Sequence, residues 1–208
     1  MTSYKLLAYI FVIFLSFGCK KQKYQNVVVS GHPEATKIGI KVLEDGGNAI
    51  DASIAVQLAL SVCLPSAGNI GGGGFMVFRE NNGKILTLDF REKAPKKSSQ
   101  KMYLDNNGDI IDSLSTHGHL SVGVPGTIDG IFKAHEKFGS IEMKHLFQYA
   151  IELAKNGFKI TRRQAQAFNI YKKDFKKFNP KNNYFQKKFW QEGDTLKQLD
   201  LANTLSII

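Results

Sequence analysis

The residue best equipped for chemistry is an arginine set between two acids in Asp89-Phe90-Arg91-Glu92. Its planar guanidinium presents a fork of N–H donors that grips a carboxylate through two parallel hydrogen bonds, which the ammonium of lysine does not copy. On the residues alone, a structural ion pair with Asp89 or Glu92 is the first reading of Arg91. Upstream lie four consecutive glycines, Gly71, Gly72, Gly73 and Gly74. Lacking Cβ atoms, they weaken any helix or strand and suit backbone that bends sharply or approaches another group closely. A phosphate-binding fingerprint runs strand, glycines, helix. Here the helical stretch Ile50 to Val62 comes first, the β-rich Phe75-Met76-Val77-Phe78 comes after, and no Gly-Lys-Ser/Thr follows. That order speaks against a phosphate loop and favours a tight helix-to-strand crossing beside a site.

Other reactive side chains carry less. His117-Gly118-His119 would need a third and fourth ligand to hold zinc. His32, His135 and His145 are scattered without ligand spacing, so no metal is expected. Cys63 lies in the apolar run Leu60 to Leu64, where a thiol is buried and inert rather than nucleophilic.

Several elements must position the arginine. Pro33 to Glu44 reads as a helix with Ala35, Ile38, Val42 and Leu43 on one face, ended by Gly46-Gly47. Asn48 caps the next helix, with Asp51 at the capping-box position. From Ile50 to Leu60 that helix is apolar nearly all round and is expected to be buried on every side. Two strands follow, Gly74 to Arg79 and Lys84 to Phe90, joined through Glu80-Asn81-Asn82-Gly83 as a hairpin. Lys93 to Asp112 reads as surface loop and Leu120 to Val124 as a short strand. Pro125 stands where a helix takes its first residue. A further helix has Met143, Leu146, Phe147, Ala150, Ile151 and Ala154 in register and closes at Gly157. Helices flanking a hairpin predict a mixed α/β (α+β) layer fold.

The chain has 208 residues, 43% hydrophobic, with 28 basic and 18 acidic side chains. Much of the positive excess lies between Lys155 and Lys188, where Phe168, Tyr171, Phe175 and Phe178 recur at helical steps. That pattern predicts one amphipathic helix with its aromatic stripe buried and its lysines solvated, stopped by Asn179-Pro180. The N-terminus reads as an export signal: a short basic start, an apolar run from Leu6 to Phe17, then Gly18-Cys19 and a lysine-rich tether through residue 25. Gly18-Cys19 resembles a bacterial lipobox, although Leu15 stands four residues before the cysteine and Ser16 takes the usual leucine place. The expectation is cleavage after residue 18, a lipid on Cys19, and a periplasmic or cell-surface protein held at the membrane. An ordinary signal peptide or an uncleaved anchor would leave Cys19 incidental. An exported chain has little occasion to meet nucleic acid, so none is expected as a partner.

Three longer segments, Asp45 to Ala52, Gly68 to Phe75 and Asp89 to Pro95, together with Ser121 to Thr127, resemble the gamma-glutamyltranspeptidase family. Gln198 with Asp200 to Leu205 resembles another family segment, so the likeness runs from Asn26 to the last residue. The resemblance implies an N-terminal-nucleophile hydrolase with stacked α/β/β/α layers, made as one precursor that cleaves itself into two subunits. It implies cleavage of the gamma-glutamyl amide of glutathione and similar compounds, with transfer to water or to an amino acid or peptide, and no cofactor. By the same resemblance Arg91 binds the α-carboxylate of the glutamyl group, while Asp89 and Glu92 orient Arg91 or the local backbone. Gly71 to Gly74 give backbone packing near the site. The threonine nucleophile belongs to the small subunit, beyond Ile208. This chain is therefore expected to hold the N-terminal part of the large subunit (residues 26–208), with no catalytic residue and no turnover alone, and Thr127 reads as a helix-start residue. Related acylases that cleave glutaryl-cephalosporin side chains, or a truncated lipoprotein that only binds, are the alternative readings.

Overall fold

The computed structural model describes residues 26–181, 185 and 187–208. The leader, Cys19 and the lysine tether lie outside them. Helix α1, Pro33–Glu44, starts at His32, whose Nδ1 accepts the Glu34 N–H at 3.2 Å. It ends where Gly46 adopts φ +94°, a conformation that a Cβ disfavours. Helix α2, Ala49–Cys63, forms the centre of the molecule and packs against α1 and two later helices, α3 (Thr127–Phe138) and α4 (Met143–Asn156). Its surroundings are less uniform than its sequence predicts. Ser53 faces solvent, and Val56, Gln57 and Leu60 are only half-buried.

Both ends of α2 are fixed by side-chain hydrogen bonds. At the N-terminus, Asn48 and Asp51 form the expected capping box. Asp51 is fully buried, and its carboxylate also accepts the Ser140 N–H at 3.0 Å and hydroxyl at 2.5 Å, while the Asn48 amide donates to Phe138 O at 2.7 Å. The start of α2 is thereby tied to the end of α3. Burial pushes the Asp51 carboxyl up, but the hydrogen bonds from Ser140, Asn48 and Ile141 outweigh it and hold it below the usual carboxylate range. At the C-terminus, Val62 O and Cys63 O fall among the last carbonyls, which have no donor within a helix. Gln198 Nε2 and Gln164 Nε2 each donate to one of them at 2.7 Å.

Strands β1 (Phe75–Arg79) and β2 (Ile85–Asp89) pair antiparallel, with Phe75 opposite Asp89 and Arg79 opposite Ile85. Gly83, at φ +91°, closes a three-residue loop, since Glu80 and Lys84 still share a hydrogen bond. Met76, Phe78 and Leu88 turn inward, and Phe78 meets Phe138 of α3 at 5.0 Å between ring centroids. Phe75, Val77 and Ile85 turn outward and are 65%, 75% and 64% exposed. A second pair joins β3 (Phe158–Lys159) to β4 (Thr195–Leu196), and helix α7 (Leu199–Ile207) packs on α4.

Three expectations need correction. The basic–aromatic stretch is two helices, α5 (Arg162–Ile170) and α6 (Lys172–Phe178), broken at Tyr171. Phe168 is buried and Phe175 half-buried, but Tyr171 and Phe178 are exposed. With the break at Tyr171, Phe168 and Phe175 still meet at 6.4 Å between ring centroids and share Phe185 as a neighbour, while Tyr171 and Phe178 fall outside that cluster. Leu120 to Val124 is not a strand: a 3-10 turn spans His119–Ser121, and Val124 alone bridges to Lys93. Pro125 stands outside α3, for which Gly126 is the N-cap and Thr127 the first residue.

Candidate functional site

Arg91 lies just past the end of β2, and the backbone around it is held from several directions. The ladder continues one residue beyond the strand, with Phe90 N–H donating to Gly74 O at 3.1 Å. The Arg91 N–H donates to Asp89 Oδ1 at 2.9 Å, a local turn in which an aspartate holds the backbone two residues on. Lys93 and Val124 then exchange hydrogen bonds of 3.1 and 2.8 Å. Asp89 thus serves the backbone. The ion pair between Arg91 and Asp89 or Glu92, the first reading of the residues alone, is not formed, and no carboxylate of the described residues pairs with that guanidinium.

The glycines fit closely against this segment. A Cβ on Gly73 would lie 2.7 Å from Phe90 O and Glu92 N, and one on Gly74 2.7 Å from the Phe90 ring. From the opposite side, a Cβ on Gly126 would lie 2.1 Å from Phe90 O, and one on Gly130 2.2 Å from Phe90 Cγ. Phe90 and the arginine that follows pass through a slot whose walls are glycine. Gly71 has open space at its Cβ position, so the four glycines are not equivalent. None of the four has a positive φ; close approach, not turn conformation, explains Gly73 and Gly74.

Asn69 binds the slot together. Its Oδ1 accepts the Gly72 N–H at 2.8 Å and the Thr127 hydroxyl at 2.7 Å. Gly72 O in turn accepts N–H bonds from Gly126 and Thr127, at the start of α3, at 2.8 and 3.1 Å. Thr127 is a helix-start residue as expected, but it is fully buried and its hydroxyl serves as a tether. Sequence reading passed over Asn69, Gly126 and Gly130. The signals were present in Gly68-Asn69-Ile70 and Pro125-Gly126-Thr127, but their meaning depends on contacts with Phe90 made across the fold.

Exposed Arg91 borders two cavities. One, of about 500 Å³, lies between the Asp89–Lys93 segment and the start of α3, where Asp129 and Lys133 pair at 2.6 Å. The other, of about 530 Å³, is lined by Lys93, Pro95, Tyr103 and Leu120 among others. A cationic fork on a fixed backbone between open cavities can receive an anionic small molecule. His117 stacks on Phe178 at 4.9 Å, and no three His, Cys, Asp or Glu among the described residues are grouped to hold a metal.

The fold, helices around small antiparallel sheets, is α+β and of the N-terminal-nucleophile hydrolase type of its structural neighbours. The profile of the family described as "Gamma-glutamyltranspeptidase" matches residues 35–208, and the chain belongs to that family. It is 45% identical over 186 residues to a glutathione hydrolase proenzyme of Pseudomonas sp. (strain A14), covering 88% of this chain and 32% of that protein. To the Escherichia coli glutathione hydrolase proenzyme it is 39% identical over 190 residues, with the same two coverages. The crystal structure of Helicobacter pylori gamma-glutamyltranspeptidase superimposes with a TM-score of 0.84 at 46% identity, over 89% of this chain and 54% of that one. A cephalosporin acylase from Bacillus halodurans, at 24% identity and a TM-score of 0.75, shares the fold. The chain therefore spans about a third of the length of these curated relatives.

Proposed function

We propose that this chain forms the donor-carboxylate side of an enzyme that cleaves the gamma-glutamyl amide of glutathione and related compounds. The glutamyl group passes to water or to an acceptor amino acid or peptide. One observation carries the reading: Arg91 is exposed, without an acidic partner among the described residues, on a backbone fixed by Asp89, Gly74 and the Lys93–Val124 bridge. A bidentate bond from such a fork to the glutamyl α-carboxylate fixes which end of glutamate faces the attacking group. Asp89 orients the local backbone through the Arg91 N–H, and Gly73 and Gly74 keep the backbone close. The attacking hydroxyl, the ligands of the glutamyl amine and the oxyanion donors are assigned to polypeptide outside these residues, in a small subunit. Thr127 does not qualify as nucleophile, because its hydroxyl is buried and committed to Asn69.

The test uses a polypeptide that spans the length of the relatives. Arg91→Ala is expected to raise KM for gamma-glutamyl donors about tenfold or more, the loss of one charge-assisted bidentate pair, with a smaller effect on kcat. Arg91→Lys should recover little of it. Unchanged donor affinity in both variants would overturn the reading. The 208-residue chain by itself is expected to release no chromophore from a gamma-glutamyl anilide above background. Export and lipidation of Cys19, giving a periplasmic or cell-surface protein, are also proposed, on the strength of the leader. Mass analysis of the mature N-terminal peptide checks this: a diacylglyceryl adduct on Cys19 is expected, and an unmodified or upstream start speaks against it.

A further inference from the structure

The segment Arg162–Lys188 holds nine lysines and arginines against a single acid, Asp174, and so carries most of the chain's net charge of +10. In α6, Lys172, Lys173, Lys176 and Lys177 fall within an arc of about 140° at roughly 100° per residue, and Asp174 lies off that arc. No residue of α6 is buried. Ordinary solvation of a helix face accounts for the lysines alone. It does not account for the apolar side chains left uncovered beside them, Ile170 at 72% exposure and Phe189 at 59%. Lys172 Nζ donates to Lys188 O at 2.8 Å, which brings the stretch before Phe189 against the start of α6. Beneath them Phe168 packs edge-on to Trp190 at 5.4 Å and against Phe185 at 5.2 Å, so the patch rests on an aromatic base.

Cationic side chains interleaved with exposed apolar ones suit the boundary of an anionic bilayer: the ammonium groups meet headgroup phosphates while the apolar tips enter the upper acyl region. We propose that the α5–α6 face is a docking surface for an anionic phospholipid membrane. A nucleic acid shares the demand for positive charge and could stack a base on Phe189 or Tyr171, but the most exposed apolar tip of the patch, Ile170, is aliphatic and suits acyl chains rather than bases. The inference goes beyond the enzymatic reading and does not require a lipid on Cys19. With one, it supplies the second of the two signals that stable membrane residence needs.

The test uses the full chain carrying Cys19→Ser, sedimented with vesicles of phosphatidylcholine alone or of phosphatidylcholine containing phosphatidylglycerol. The N-terminal apolar run and Lys20 to Lys23 are identical in every variant, so differences between variants report the patch. Lys172→Gln, Lys173→Gln, Lys176→Gln and Lys177→Gln combined are expected to lower partitioning onto the anionic vesicles roughly tenfold or more, leaving the neutral ones unaffected. Ile170→Ser with Phe189→Ser is expected to lower it several-fold by roughly the lost apolar burial. Neither should alter far-ultraviolet circular dichroism: the substituted side chains are exposed except half-buried Lys172, whose single bond to Lys188 O lies outside any helix or strand. Equal partitioning of the quadruple variant and its parent overturns the proposal. So does tighter binding to a single-stranded oligonucleotide than to the anionic vesicles, which would make the surface a nucleic-acid site instead.

Discussion

Asp51 shows how much one buried side chain can hold. It closes the capping box of α2 and, through Ser140, fastens the end of α3 to the start of α2. Asp51→Ala removes those acceptors and leaves buried donors unsatisfied, an expected loss of about 2–4 kcal/mol in chemical denaturation. Its pKa is depressed in the folded chain. Its stabilising contribution is therefore complete above the unfolded carboxylate value of about 3.9 and disappears as pH falls through the lower folded value. Denaturant midpoints measured from neutral to acid pH should fall less steeply below about pH 4 in Asp51→Ala than in the parent. Cys63 behaves oppositely. Burial pushes its thiol up to about 12, so it stays protonated and covered. At pH 8 the Cys19→Ser chain is expected to resist a thiol reagent until denaturant is added; rapid labelling of the folded chain would contradict the burial of Cys63.

At the level of elements, the glycine slot sets the position of Arg91. Adding a methyl at Gly126 places it 2.1 Å from a backbone oxygen, which cannot rotate aside. Gly126→Ala should cost about 1–3 kcal/mol in stability and should shift Phe90 and Arg91, raising donor KM in the longer polypeptide. Gly71→Ala meets open space and should stay within about 0.5 kcal/mol of the parent. Melting curves of the two variants compare them directly, and equal losses would mean that the slot is not close-packed. This division was not legible in the sequence, where the four glycines look alike. What could be read was local: the Pro33–Glu44 helix, the Asn48–Asp51 box and the Asn82-Gly83 hairpin, each specified by residues a few positions apart. What could not be read was set at long range. Gly130 faces the Phe90 ring across the fold, and the two helices either side of Tyr171 meet Phe185 through Phe168 and Phe175. The family resemblance pointed to Arg91 as a ligand, and the geometry added the absence of an acidic partner among the described residues.

Across the whole molecule, the hairpin is covered on one side only. Its outer face offers Phe75, Val77 and Ile85 to solvent, more apolar surface than an isolated hairpin keeps uncovered without association. The 208-residue chain is expected to self-associate at concentrations where a polypeptide spanning the relatives' length does not. Sedimentation velocity reads the difference. Replacing Phe75, Val77 and Ile85 by threonine keeps strand propensity and should return the short chain toward a monomer without lowering its melting midpoint; unchanged association would place the sticky surface elsewhere.

The two glutamine amides on the last carbonyls of α2 also bear on the order in which the chain acquires its structure. Gln164 and Gln198 arrive more than a hundred positions after the helix they finish. While the polypeptide is emerging in sequence from a ribosome or a translocation channel, Val62 and Cys63 must rely on water. The central helix of this layer can thus be begun early, at Asn48, but can be completed only after nearly all of these residues have appeared.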